Sequence, residues 1–506
     1  MMEIMQRKKR LIYNTISSLM FQIATIICGF ILPRLILKAY GSEVNGLVNS
    51  IMQFLAIISF LELGVGAVVE ATLYKPLADK DNNKVSMIIA SANKFFSKIG
   101  FILIFYVCFL IIFFPLFMKR EFNFWYTATL IIAISISSFA QYFFGIVNRL
   151  LLTADQKGYL QYNAQTISTI VNTTVCFVLI KFGVEIQIVK LATSLIYLIQ
   201  PFIIQIYVSK NYNINKKIKY KGEPIIQKWH GVAQHVCSIA LDGSDTIVLT
   251  LFSTLQNVSI YSVYYLVVKG VTQLFTSLTQ GVEALIGELW AKKEYNELHH
   301  FYEWLQWAIH TGTVFIFGMT AVLIVPFVEI YTSGIHDANY LQFGFAVLLV
   351  LAHGGHCLRL PYSTVILAVG HFKQTERCYF IAAILNIVIS IATVKKYGLI
   401  GVAVGTLIAM IYQTIWMARY VSKYLIECSV NVFLKQIIVD IIIFSFGILA
   451  TKANSLGNVS YVNWIMLAIK VALVWIPIVI IVNLVFYPNK IVQLVKRVKI
   501  KMYQKK

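Results

Sequence analysis

Apolar runs separated by short polar segments occupy almost the whole chain. Runs of about twenty residues, enough for a helix to cross roughly 30 Å of hydrocarbon, lie near 11–33, 46–69, 97–118, 125–146, 160–180, 186–208, 229–252, 259–284, 304–330, 340–370, 378–394, 399–418, 434–451 and 463–487. The pattern predicts an all-α integral membrane protein of about 14 transmembrane helices. The 340–370 run exceeds one crossing, which implies either a break or a strongly tilted helix. The longest polar stretches, 70–96 and 209–228, are too short for an autonomous folded domain, so the work of this protein is expected inside the membrane.

The pattern repeats. Asn172, Lys181-Phe-Gly183 and Tyr207-Val-Ser-Lys210 recur roughly 214 residues later as Asn386, Lys396-Tyr-Gly398 and Tyr420-Val-Ser-Lys423. Six spans separate the copies, and an even number gives both the same orientation. Two six-helix lobes in parallel repeat plus two extra C-terminal helices are therefore expected, a plan that suits transport through a cavity between lobes. The implied divisions are an N-lobe at 1–210, a basic cytoplasmic linker at 211–228, a C-lobe at 229–423, two added spans at 424–488 and a basic tail at 489–506. The tail interleaves apolar and positive residues, so it either lies on the inner leaflet or stays in water and only fixes topology.

Composition and charge sharpen this reading. Hydrophobic residues make up 58% of the 506 positions and charged ones 13%, against roughly 25% charged in soluble proteins. The net charge of +21 comes from Lys and Arg concentrated in alternate short loops, the signature of membrane orientation. No base-stacking motif accompanies them, which argues against nucleic acid. Both termini are then cytoplasmic. The run after Arg7-Lys-Lys-Arg10 is too long for a signal-peptide core and is expected to remain as the first span. The seven cysteines follow no spacing for disulfides or zinc. No phosphate loop or nucleophile elbow occurs, so neither an enzyme nor a cofactor is expected.

A charge at the bilayer centre costs on the order of 3 kcal/mol and usually faces a partner or a cavity. Lys269 lies about ten residues into its span, roughly 15 Å deep. Asp242 and Asp245 share a helical face; they serve either as ion or proton sites or as partners for Lys269. Arg359 stands beside Pro361 and after His353-Gly-Gly-His356, where the breakers are expected to interrupt the helix and line a cavity. Arg34 follows Pro33 near the outer end of the first span, where it faces inward or snorkels, and Glu62 lies within the second. His353 and His356 lack a third ligand nearby in sequence, so no metal site is expected. His235 and His310 read as histidines satisfied by local hydrogen bonds. Glu283, Glu288 and Gln280 belong either to a cytoplasmic gate or to a helix end.

Several stretches carry a resemblance: Gly41-Ser-Glu-Val-Asn-Gly46 through Phe60-Leu-Glu-Leu-Gly64, Asp245-Thr-Ile-Val with Tyr261-Ser-Val-Tyr264, and Asn386 through Gly398-Leu-Ile-Gly-Val-Ala-Val-Gly-Thr406. Together they resemble the Wzx-type polysaccharide flippases, in the superfamily that also holds multidrug and toxic compound exporters and lipid II flippases. The resemblance implies a two-lobed, V-shaped transporter in the bacterial cytoplasmic membrane. Its substrate would be an undecaprenyl-diphosphate-linked oligosaccharide, moved from inner to outer leaflet by alternating access for cell-surface polysaccharide export. It implies a cationic cavity, to which Arg34, Lys269 and Arg359 are assigned, with Asp242, Asp245 and Glu62 as ion-coupling or charge-pairing groups. The implied partners are the lipid-linked substrate, membrane lipid, glycosyltransferases and a polysaccharide polymerase, with the transporter itself a monomer. Two alternatives stay open: an ion-coupled multidrug exporter of the same superfamily, and a membrane polymerase or acyltransferase acting on lipid-linked sugars.

Overall fold

In hydrocarbon a backbone N–H or C=O has no water to bond, so an apolar chain satisfies these groups within its own helices. The structure is a computed structural model that describes residues 2–61, 63–117, 122–215, 218, 232–452 and 456–503. Its elements are α1 (Met2–Ala56), a 3-10 turn (Ile57–Leu61), α2 (Leu63–Ala78), α3 (Asn82–Phe117), α4 (Phe124–Ala140), a π-helical turn (Gln141–Gly145), α5 (Ile146–Ala154), α6 (Gly158–Lys181), α7 (Ile186–Asn211), α8 (Val232–Phe252) and α9 (Leu255–Ala291). There follow α10 (Tyr295–Tyr331), α11 (Phe343–Val369), α12 (Phe372–Tyr397), α13 (Leu399–Tyr424), α14 (Val430–Thr451), α15 (Tyr461–Phe486) and α16 (Pro488–Tyr503). No strand occurs among the described residues.

Twelve of the described helices are long and apolar enough to cross a membrane, where the hydrophobic pattern predicts fourteen. The difference lies in two places. The run at 46–69 is divided: α1 carries it to Ala56, the 3-10 turn follows, and α2 begins at Leu63, beside Gly64 and Gly66, which weaken a helix. The run at 229–252 coincides with α8, whose described apolar part is only Gly243–Phe252. The first candidate span is correspondingly long, at 48 residues. A straight helix of that length would measure about 72 Å; this one bends at Gly41 (φ 82°, ψ 177°), a conformation open to glycine. The 340–370 run, by contrast, forms one continuous helix. Gly354, Gly355 and Pro361 all lie inside α11, so the expected interruption does not occur.

The chain divides into two compact units, Met1–Ser259 and Ile260–Lys506. In the first, α8 and the start of α9 pack on α1: Ser50 and Thr250 hydroxyls meet at 2.7 Å and Asn45 donates to Ser259 Oγ at 2.7 Å. The linker expected at 211–228 lies mostly outside the described residues. The core of the first unit gathers Leu73, Phe96, Leu103, Leu130 and Leu151, all fully buried.

The repeated segments form matching pairs, α6–turn–α7 in one unit and α12–turn–α13 in the other. Gly183 (φ 71°) and Gly398 (φ 53°) make the turns. Asn172 Oδ1 accepts from Cys176, one turn on, at 3.3 Å; Asn386 Oδ1 accepts from Ser390, again one turn on, at 3.0 Å. Gly405 lets α13 press against α12, since a Cβ there would lie 2.9 Å from the Asn386 carbonyl oxygen.

In the second unit α10, α14 and α15 meet around Trp475, which is fully buried with Val439, Ile443 and Val471. The outer face of α15 exposes Val462, Leu473, Ile481 and Val485. Exposed rows of large aliphatic side chains on so many helices mark a multi-pass membrane protein whose solvent is lipid.

Candidate functional site

The first unit holds an open cavity of about 660 Å³. Its lining comes from α1 (Phe21, Thr25, Gly29), the 3-10 turn (Ser59), α4 (Ser137, Ser138), the π turn (Gln141, Tyr142), α6 (Gln165, Thr169, Asn172) and α7 (Tyr197, Gln200). Its polar groups are hydroxyls and amides set among apolar side chains such as Leu32, Met52, Leu55 and Ile134, and among the described residues no Asp, Glu, Lys, Arg or His lines it. Backbone chemistry adds acceptors. Pro33 on α1 and Pro201 on α7 have no N–H to give to the carbonyls four residues back. Those carbonyls belong to Gly29 and Tyr197, both lining residues. The π turn is the kind of local irregularity that often marks functional positions; here it carries Gln141 and Tyr142 to the wall. Gln165 Oε1 is buried without a hydrogen-bond partner, an acceptor held ready for a donor.

The second unit brings Lys269 and Arg359 into one polar seam between α9, α11, α12 and α13. Arg359 is buried and its guanidinium donates to Gln413 Oε1 and to His356 Nδ1, the latter at 2.9 Å. It also stands over the Tyr379 ring, 6.0 Å from the centroid. A charge so held is oriented by its neighbours, and only its Nε lacks a partner. Lys269 is exposed, with Nζ 5.5 Å from the Tyr265 ring. Tyr265 in turn packs edge-on against His353 at 5.5 Å. His353 and His356 thus link the two cations, and among the described residues no three His, Cys, Asp or Glu side chains gather as for a metal.

The remaining sequence candidates fall elsewhere. Arg34 is half-buried on α1, one residue beyond Pro33, which lines the cavity that Arg34 does not. Asp245 is buried on α8. Glu62 and the side chain of Asp242 lie outside the described residues, as do the side chains of His235 and Gln280. Glu288 pairs with Lys292, at the end of α9. His310 is not satisfied locally: it bonds Asp440, 130 residues away, at 2.6 Å, and Tyr362 at 3.0 Å. Sequence reasoning passed over both the uncharged cavity and Asp440. For Asp440 the signal was present, a lone acid between Val439 and Ile441 in an apolar run.

No family model and no curated protein matches the sequence. Solved structures match it in fold. A structure of the lipid II flippase MurJ in an inward closed conformation superposes with a TM-score of 0.70 at 19% identity, covering 94% of this chain and 100% of that one. The chain has the MurJ fold. An inward-facing multidrug-resistance MATE transporter of the MOP superfamily aligns with a TM-score of 0.59 at 12% identity, over 81% of this chain and 98% of its own. A eukaryotic MATE transporter aligns at 0.57 and 13% identity, over 82% and 96%. The MurJ fold is thus shared with transporters of the MOP superfamily, the group to which the sequence resemblance pointed. At these identities the likeness is one of fold, and the chemistry of the MurJ-like chain is argued from its own residues.

Proposed function

We propose that this chain is a flippase that carries an undecaprenyl-diphosphate-linked oligosaccharide from the inner to the outer leaflet of a bacterial cytoplasmic membrane. The observation that carries the reading is the 660 Å³ cavity, whose described polar groups are hydroxyls and amides, with Phe21, Tyr142 and Tyr197 adding aromatic rings. Hydroxyls and amides both donate and accept, which matches a polyhydroxylated neutral ligand; an organic cation or anion would call for an opposing charge. The cavity volume falls in the range of ordinary ligand sites. In this reading the first unit's cavity takes up saccharide, and Arg34 in that unit and Lys269 and Arg359 in the other are each proposed as cations that attract diphosphate. Exposed Lys269 makes the first contact, and the lipid tail stays in the bilayer. Asp242, Asp245 and Glu62 act in ion coupling or charge pairing. Glycosyltransferases supply the substrate and a polymerase consumes it.

The fold shared with MATE transporters favours one other reading, a drug exporter. Among the described residues no carboxylate of the kind a cationic drug would need lines the cavity. The test is mass spectrometry of lipid-linked saccharides from the native host without this gene, combined with labelling by a membrane-impermeant glycan probe. Intact units hidden on the inner leaflet are expected. Normally exposed but unpolymerised units would indicate an enzyme instead, and an unchanged lipid pool would indicate the drug exporter.

A further inference from the structure

Within the second unit, α10, α11 and α14 enclose a network of ionisable and polar groups that the sugar and diphosphate sites do not use. His310 is fully buried and Asp440 nearly so. His310 Nδ1 lies 2.6 Å from Asp440 Oδ2, and its Nε2 lies 3.0 Å from the Tyr362 hydroxyl. Gln306 donates to that hydroxyl at 3.1 Å, and Gln436 donates to Asp440 Oδ1 at 3.1 Å. Asp440 lies about ten residues into α14, roughly 15 Å along the helix.

Counting hydrogens along this chain gives one fully bonded state. Gln306 donates to Tyr362, Tyr362 donates to a neutral His310, His310 donates through Nδ1 to an ionised Asp440, and Gln436 donates to its other oxygen. Every group is paired, yet the cluster carries one buried negative charge. One added proton, shared by the pair, cancels the charge but changes the bonding. If it sits on Nε2, the Tyr362 hydroxyl no longer has His310 as its acceptor. If it sits on the carboxyl, His310 and Asp440 must exchange donor and acceptor roles. The two states are each within reach because each sacrifices something, charge burial in one and hydrogen bonding in the other.

The surroundings suit such exchange. Tyr302 from α10 packs on Tyr362 at 6.4 Å, Cys428 precedes α14, and Tyr487 follows α15; among the described residues these are titratable groups that act electrostatically on Tyr362 or Asp440. Lys435 of α14 and Lys490 of α16 stand over the Tyr487 ring at 4.6 and 5.5 Å. A cavity of about 180 Å³ opens on Asp440 and on Thr313, whose hydroxyl is buried and unpartnered. Most of its wall is apolar, with Phe317, Leu358, Ile441 and Phe444 among the lining residues, and the space is wide enough to admit a water to the two polar groups.

We infer that the His310–Asp440 pair is a proton-binding site, taking up and releasing one proton per transport cycle. Because Asp440 of α14 bonds His310 of α10, which in turn meets the Tyr362 hydroxyl of α11, the proton controls how α14 grips α10 and α11. The place in a transport cycle rests on the flippase reading; the proton site does not.

The test is infrared difference spectroscopy of the purified full-length protein through a pH titration, in wild type, Asp440→Asn and His310→Gln. Wild type should show a titrating carboxyl or imidazolium signal worth one proton per chain. Asp440→Asn, nearly isosteric and fixed in the neutral form, should lose it. A signal that persists in Asp440→Asn would overturn the assignment. Should Asp440→Asn fail to fold, His310→Gln decides: its carboxyl must titrate at a shifted pH, and an unshifted signal refutes the pair. A response to sodium at fixed pH would make it a metal-cation site and also refute it. In proteoliposomes with a lipid-linked saccharide, Asp440→Asn should lose the response to an imposed pH gradient, and a retained response refutes the role in the cycle. If the titration holds while wild type moves no saccharide, the flippase reading fails and the proton site stands.

Discussion

Trp475 occupies a slot whose two walls are glycines on different helices, and this makes Gly318→Ala an informative perturbation. A Cβ on Gly318 would lie 2.0 Å from Cη2 and 2.1 Å from Cζ3 of the indole. Carbon atoms settle at about 3.5–4.0 Å, so the ring would have to retreat by about 1.5 Å. On the far side Gly447 closes the slot, where a Cβ would already lie 2.4 Å from Cζ2; the ring has nowhere to go. Overpacking of this kind costs about 1–3 kcal/mol, and the closed slot puts Gly318→Ala near the upper end. At roughly 2–4 °C per kcal/mol for a unit of this size, the midpoint of thermal unfolding in detergent should fall by about 6–12 °C. Trp475→Leu alone should also destabilise, by leaving a cavity. The double variant should recover part of the loss, with a coupling of about 1–3 kcal/mol. A Gly318→Ala protein that melts with wild type, or a double variant whose losses simply add, would refute the slot.

Other consequences are open to test. Replacing Ser50 and Thr250 by cysteine in a background without the native cysteines should give an efficient disulfide. Adding Gly46→Ala should abolish it, because the new Cβ would collide with the Leu255 carbonyl backbone, and an undiminished yield would contradict that packing. Arg359→Gln should strand Gln413 and His356 and cost about 1–3 kcal/mol in stability as well as transport, whereas Gln165→Leu should impair saccharide binding and leave the melting midpoint within about 1 °C; equal effects of the two in both assays would argue against the division of roles. Asp81 is held below the usual carboxylate range, chiefly by the Lys84 backbone N–H, which donates to it at 3.0 Å. Its folded value is depressed, so the contribution to the start of α3 is full above the unfolded value near about 4 and disappears as pH falls through the folded value. Amide exchange at residues 82–86 should quicken in acid in wild type and show no such step in Asp81→Ala.

The helices were legible because lipid imposes one simple demand, twenty apolar residues with internal hydrogen bonds, and the chain meets it repeatedly. The divided run at 46–69 was not, because hydropathy is blind to backbone dihedrals and a 3-10 turn of Ile57–Leu61 is as apolar as a helix. Gly354, Gly355 and Pro361 misled in the opposite direction: neighbouring helices hold α11 continuous where local propensity predicts a break. Arg359 and Lys269 stood out as charges in apolar runs, and both lie in the seam of the second unit. The cavity of the first unit had no such flag. Its polar groups are Ser, Thr, Asn, Gln and Tyr drawn from six segments and set among apolar side chains, each ordinary in its own helix, and only folding brings them together. Asp440 could have been flagged by the same rule that found Arg359, but its meaning depends on His310, remote in sequence.

The uncharged lining that the described residues give the first unit's cavity has a consequence for how recognition responds to the medium. Mobile ions screen forces between charges over about 8–10 Å at ordinary ionic strength, but they leave hydrogen bonds between uncharged groups almost untouched. A saccharide gripped by such a wall should therefore bind with an affinity that added salt barely changes, and the part of the affinity that survives high salt would measure how much of the substrate's identity is read without charge.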